Sequence, residues 1–342
     1  MKMLGLVIIV SGMISMLCGR VTEVEGAVTL QPPVKTTWHY YRLHTRCPQA
    51  EYIIKDETKK LWDEDHSITP KLLRLLSADC LVTGCDASIL LDGPKSEKMA
   101  KQNKGLDGFD VIDKIKAVLE EKCPMNVSCA DLLNLATRDA VHLAGAPSYP
   151  VFTGRRDGLV SKNTSVDFPS PDISWEAALA YFESKGLDLL DMVTLLGAHS
   201  TGRAHCWSVV NRLYNFNNTR KPDPSMDNGL ADKLRKLCPK KGKRDQMVFL
   251  DQEFGGSYKF ESSFFKSISD RKAVLTVDQQ LSSAGGGDML GMVQEFLSDF
   301  EDFRRSFALS MGRLGNIDCL TGKEGEIRRH CRYTNRDNPN NN

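Results

Sequence analysis

Apolar positions recur at helical spacing along most of the chain. Between residues 48 and 76, Ile53, Ile54, Leu61, Trp62, Leu72, Leu73, Leu75 and Leu76 keep that period. Thr69 and Pro70 stand where a second helix would be capped and begin. Phe109, Ile112, Ile115 and Leu119 predict a helix over 107–122. The denser run Leu132, Leu133, Leu135, Ala136, Ala140 and Leu143 predicts a more buried one over 129–144. A short helix follows at 175–185. Val193, Leu195 and Leu196 then lead a buried helix that stops on Gly197 and carries His199 at its end. Residues 208–237 read as helical at both ends with a loop between. Met292, Phe296, Phe300, Phe303, Phe307 and Met311 mark one face of a helix over 289–314. Two-residue alternation is scarce, so the pattern predicts a mainly α fold with long ordered loops.

The breaks in the pattern divide the chain. Residues 79–97 are rich in Asp, Ser, Gly and Pro and read as an ordered loop. Residues 147–171 are rich in Pro and Gly and read as a crossover between two helical lobes. Residues 240–259 are basic, then glycine-rich, and read as surface. The tail after Arg332 is polar and is expected to be disordered. At the other end, the basic start MKM and the short apolar run through Cys18 fit a secretory signal over 1–26, cleaved between Cys18 and Ala27. That leaves a folded domain over 27–337 and a polar tail over 338–342.

Composition changes this picture little. Of 342 residues, 41% are hydrophobic and 26% charged, as in ordinary globular chains, and the length allows a sizeable core. The formal net charge of +1 gives no electrostatic case for nucleic acid or an acidic membrane. Secretion changes how the cysteines read. Ten are present, and losing Cys18 with the signal leaves nine, enough for four disulfides and one odd thiol. Eight cysteines allow 105 pairings, and the sequence alone does not choose among them. No pair has the CxxC spacing of a zinc site. Asn126, Asn163 and Asn217 begin N-x-[ST] sequons, which suits a secreted glycoprotein.

His199, taken alone, is either a core histidine bonded to backbone or an axial ligand to haem iron. Six stretches bear on the choice: LRLLSADCLVTGCDASILLD (73–92), VSCADLLNLATRDAV (127–141), GRRDG (154–158), LLGAHSTGRAHC (195–206), VDQQL (277–281) and GEIRRHC (325–331). In this order they resemble the secreted plant haem peroxidases (class III), collinearly over roughly 38–335. The resemblance implies a two-lobed fold with haem b between a distal and a proximal lobe. It makes His199 the axial iron ligand and Asp278 the carboxylate that fixes its tautomer and raises its basicity. It implies the disulfides Cys47–Cys123, Cys80–Cys85, Cys129–Cys331 and Cys206–Cys238, with Cys319 left over as a buried, inert thiol. It places calcium on Asp79, Val82, Gly84, Asp86 and Ser88, with Glu97 joining through water, an oxygen set that suits a hard cation. A second calcium would use Ser200, Asp251 and Glu261. There Glu261 stands where the family has Asp, after an apparent two-residue insertion that is expected to weaken the site. Pro169 matches the position beside the substrate access edge.

The match breaks on the distal helix. The family carries Arg, Phe and a catalytic His before the calcium Asp. Here Arg74 is in place, the aromatic position is Ser77 and the histidine position is Ala78. Asn103, which orients that histidine in the family, is retained. Peroxide cleavage needs a base that takes a proton from one oxygen and returns it to the other. Arg74 can stabilise charge but stays protonated, and Ser77 is too weak a base. The spacing of His44 and His66 brings neither above the iron; His142 and His205 read as structural. The expectation is a monomeric, secreted enzyme of the extracellular space or cell wall, off the membrane once the signal is cleaved. It would use hydrogen peroxide to oxidise small phenolic donors by single electrons. Its activation is expected to be impaired, with water in the enlarged pocket as partial compensation. The alternative is a haem-binding, catalytically silent wall protein.

Overall fold

The computed structural model describes residues 36–241, 246–253, 255–283 and 286–339. The expected signal segment and Cys18 lie outside them, as do residues 340–342 of the expected tail. Among the described residues no helix is long and apolar enough to cross a membrane.

The chain is mainly helical, as the apolar spacing predicts. Helices α1 (Tyr40–His44), α2 (Ala50–Glu64), α3 (Ile68–Cys80), α4 (Phe109–Lys122) and α5 (Cys129–Leu143) form the first group. The span 48–76 is thus two helices, broken at Asp65, and the second starts two residues before Pro70. Ile54, Leu72, Leu75, Ile112, Leu119, Leu132 and Leu133 are fully buried where α2, α3, α4 and α5 pack together. Ser128 caps α5 by accepting from the Asp131 N–H.

The second group is α6 (Trp175–Ser184), α7 (Leu189–Leu196), α8 (Val210–Tyr214), α9 (Asn228–Leu237), α10 (Ser263–Ser269), α11 (Thr276–Ser283), α12 (Gly286–Ser298) and α13 (Phe300–Leu314). The predicted continuous helix over 289–314 is two helices. Asp299 ends one and caps the next, its side chain accepting from the N–H groups of Glu301 and Asp302. Phe265, Phe296, Phe303 and Phe307 meet in an aromatic cluster, with Phe265 and Phe303 centroids 4.8 Å apart. The segment expected to be mere surface contains a strand: β2 (Met247–Phe249) pairs antiparallel with β1 (Arg203–His205). The chain also stays folded past Arg332. That residue pairs with Asp113, and Asn335 Nδ2 donates to the Ile327 carbonyl at 2.8 Å.

Four disulfides close as the resemblance implied: Cys47–Cys123, Cys80–Cys85, Cys129–Cys331 and Cys206–Cys238. Cys319 is the remaining free cysteine among the described residues. Its sulfur lies 3.5 Å from the Gly315 carbonyl, and burial pushes the thiol up.

Candidate active site

The end of α7 is set by charge and by space. Asp188 and Asp191 form a capping box at its start, and Arg313 of α13 binds both carboxylates, at 2.7 and 2.6 Å. At the other end a Cβ on Gly197 would lie 2.4 Å from the Phe303 ring, so only glycine lets α7 close onto the aromatic cluster. The turn Gly197–Ser200 follows and carries His199 out of the core.

His199 Nδ1 lies 2.8 Å from Asp278 Oδ1, in the first turn of α11. The Asp278 side chain is 2% exposed and the imidazole 30%. The carboxylate therefore holds one ring nitrogen inside the protein, and the ring remains open to a partner through the other. That is the arrangement an axial ligand requires, and it fits haem. The start of α6 and the residues just before it anchor α11: Trp175 N donates to Gln280 Oε1 at 2.8 Å, and Thr276 Oγ1 to Asp172 at 3.1 Å.

On α3, Arg74 Nη2 donates to the Gln102 carbonyl at 3.1 Å, and its guanidinium lies 4.3 Å over the Phe168 ring. Burial pulls it down to about 10, still protonated at neutral pH. Ser77 Oγ turns back to the Leu73 carbonyl at 2.9 Å. Ala78 is fully buried. The reason is packing: Ala78 belongs to the main apolar core. Asn103 Nδ2 donates to the Glu97 carbonyl at 2.9 Å, but its buried Oδ1 has no partner. An acceptor is thus held in place without the donor that would use it. Pro169 is partly exposed and follows Phe168 directly.

The loop after α3 gathers carboxylates. Asp79 accepts from the Ala87 N–H at 2.9 Å, Asp86 from the Ser88 N–H at 2.9 Å, and Ser88 Oγ lies 3.4 Å from Glu97 Oε2. Burial first, and mutual repulsion with Asp86 next, raise Asp79 well above the usual carboxylate range and push Glu97 up to about 7. Burial likewise raises Asp86. Buried carboxylates that raise one another fit a cation. Among the described residues no three His, Cys, Asp or Glu side chains suffice as a metal cluster. A cation here would therefore also need the Ser88 hydroxyl and the carbonyls of Val82 and Gly84. Lys185 Nζ already donates to the Val82 carbonyl at 3.1 Å. Gly84 sits at φ +104°, against the Asp318 carbonyl, where a side chain would clash.

At the second expected site Ser200 Oγ is buried without a partner, while Asp251 accepts from the Glu253 N–H at 2.9 Å and from Ser263 Oγ. Glu261 is half-buried. The remaining histidines sit elsewhere. His66 stacks on Trp62 at 3.9 Å, His142 Nδ1 lies 3.1 Å from the Ala146 carbonyl, and His205 stacks on Trp207. His44 lies beside Tyr40. Sequence reasoning missed Phe168, Lys185 and Ser263; Phe168 lies in a Pro-rich stretch without periodicity, and Lys185 and Ser263 are single polar residues that no motif marks.

A family model described as "Peroxidase" matches residues 54–299. The chain belongs to the peroxidase family. It is 58% identical to probable peroxidase 61 of Arabidopsis thaliana, covering 93% of this chain and 94% of that protein. It is 55% identical to probable peroxidase 26 of the same plant, over 92% and 94%. Peroxidase 57, also from Arabidopsis thaliana, is 44% identical over 84% and 90%. The chain is thus a plant peroxidase of the class III type, and family membership implies haem, hydrogen peroxide and an electron donor.

Proposed function

We propose that this peroxidase holds haem b through His199 and oxidises small phenolic donors by one-electron steps, with activation slowed by the missing distal base. The observation that carries the reading is the His199–Asp278 pair, with one nitrogen held by a buried carboxylate and the ring open to a ligand. When bound, haem would supply the peroxide-cleaving and electron-accepting chemistry. The residues divide the remaining work. Asp278 fixes the tautomer and orientation of His199. Arg74 stabilises negative charge on the distal side. Pro169 borders the edge where the donor approaches. Asp79, Val82, Gly84, Asp86, Ser88 and Glu97 would hold one calcium, and Ser200, Asp251 and Glu261 a second, weaker one. Secretion to the extracellular space or wall, as a glycosylated monomer, completes the reading.

No side chain at position 78 can carry the proton between the peroxide oxygens. Losing a positioned acid–base group costs about 10²–10⁴ in rate. The test is stopped-flow absorbance of the haem-loaded protein against peroxide, for the native chain and Ala78→His. A slow native reaction that Ala78→His accelerates at least about a hundredfold supports the reading. A fast native reaction would overturn the argument from Ala78.

A second reading, a silent haem-binding scaffold, draws support from the sealed position of Ala78 and the unused Asn103 acceptor. It predicts a Soret band and no spectral response to peroxide.

A further inference from the structure

Arg74 has no carboxylate partner among the described residues. Two contacts hold its guanidinium: the Gln102 carbonyl at 3.1 Å and the Phe168 ring face at 4.3 Å. The two are tied together, because Gln102 Nε2 donates to the Val166 carbonyl at 3.1 Å. The ring is itself fixed. Phe168 packs both on a small apolar cluster of Val82, Ala100 and Val166 and against the edge of the main core. Its edge meets Tyr181 at 6.2 Å, and the Tyr181 hydroxyl donates to the Leu81 carbonyl at 2.6 Å. A planar guanidinium is drawn to an aromatic face, whereas one hydrogen bond to a carbonyl leaves it free to swing.

We propose that Phe168 is a positioning residue for Arg74: its ring sets where the guanidinium points. Because Phe168 immediately precedes Pro169, it links the edge where a donor would sit to the distal charge. This rests on the reading of Arg74 as the charge stabiliser given above.

Phe168→Leu keeps apolar volume for the cluster but removes the π face; Phe168→Met does the same, should the leucine variant fail to fold. Phe168→Tyr keeps both features. The first measurement is the rate of phenylglyoxal modification of Arg74, read by mass spectrometry on the full chain as purified. We expect roughly fivefold faster labelling in Phe168→Leu and a native rate in Phe168→Tyr, the scale of an ordinary cation–π contact. Equal rates in the native chain and Phe168→Leu would overturn the proposal. The second measurement is fluoride affinity of the haem-loaded protein, in the native and Arg74→Leu backgrounds. Phe168→Leu should change it several-fold in the first and not in the second. An equal change in both would mean that Phe168 acts through packing alone, and would also overturn the proposal. A chain that takes up no haem would sink the parent reading, while the labelling result still decides the role of Phe168.

Discussion

His199 and Asp278 lie 79 positions apart and meet at 2.8 Å, so the chemistry of one residue depends on the other. Removing the carboxylate leaves the imidazole free to change tautomer and orientation. Asp278→Ala is expected to lose about 10–100-fold in haem affinity, checked by haem titration of the Soret absorbance. Ala78 poses a different problem. Its place is packed shut, so an added imidazole must displace neighbours, at about 1–3 kcal/mol. Ala78→His is therefore expected to melt earlier than the native chain even as it reacts faster with peroxide, a split that calorimetry and stopped flow would read separately. The motifs made His199, Asp278 and Arg74 legible in the sequence. Phe168 was not, because an aromatic residue in a Pro-rich loop has no period and finds its partner only in three dimensions.

At the scale of elements, α5 shows what holds the first helical group to the loops around it. Asp131, in the first turn of α5, is fully buried. It accepts from Tyr41 Oη at 2.6 Å, the Gly154 N–H at 2.7 Å and Arg155 Nη1 at 2.8 Å. Arg155 in turn donates through Nε to the Gly315 carbonyl at 3.0 Å. One carboxylate thus ties α1, α5, the crossover and the end of α13. Removing one partner of a buried pair leaves the other charge uncompensated. Asp131→Ala should cost about 3–5 kcal/mol in denaturant unfolding, and a loss below ~1 kcal/mol would show that water or a neighbour replaces it. Helices with strong apolar faces were legible to within about four residues. The break at Asp299 was not, because Phe296, Phe300 and Phe303 keep the helical period across it. The short α10 and the three-residue strands offered too few positions for any period to register.

For the whole molecule, the acidic loop makes stability depend on pH and, on the proposed calcium reading, on the cation as well. The four disulfides fix the covalent frame, and Cys129–Cys331 alone spans 202 positions. The loop after α3 lies inside that frame, and Cys80–Cys85 closes its start. Without a cation, Glu97 titrates near 7 in the folded chain against about 4.5 when unfolded. A group whose folded value is raised contributes stability below its unfolded value and loses it as pH rises through the folded one. Between pH 4.5 and 7 the folded state binds more protons than the unfolded state, so stability falls with rising pH. The loss from Glu97 is about 3 kcal/mol by pH 8, and Asp79 and Asp86, also raised, act in the same direction. Calcium held there, as proposed above, would remove the repulsion that raises these carboxylates, so it should matter most where they would otherwise ionise alone. Protein treated with a chelator is therefore expected to melt several degrees lower at pH 8 than at pH 5.5. Millimolar calcium should restore most of that at pH 8 and add little at pH 5.5. A calcium response of the same size at both values would mean that the cation binds somewhere other than this loop.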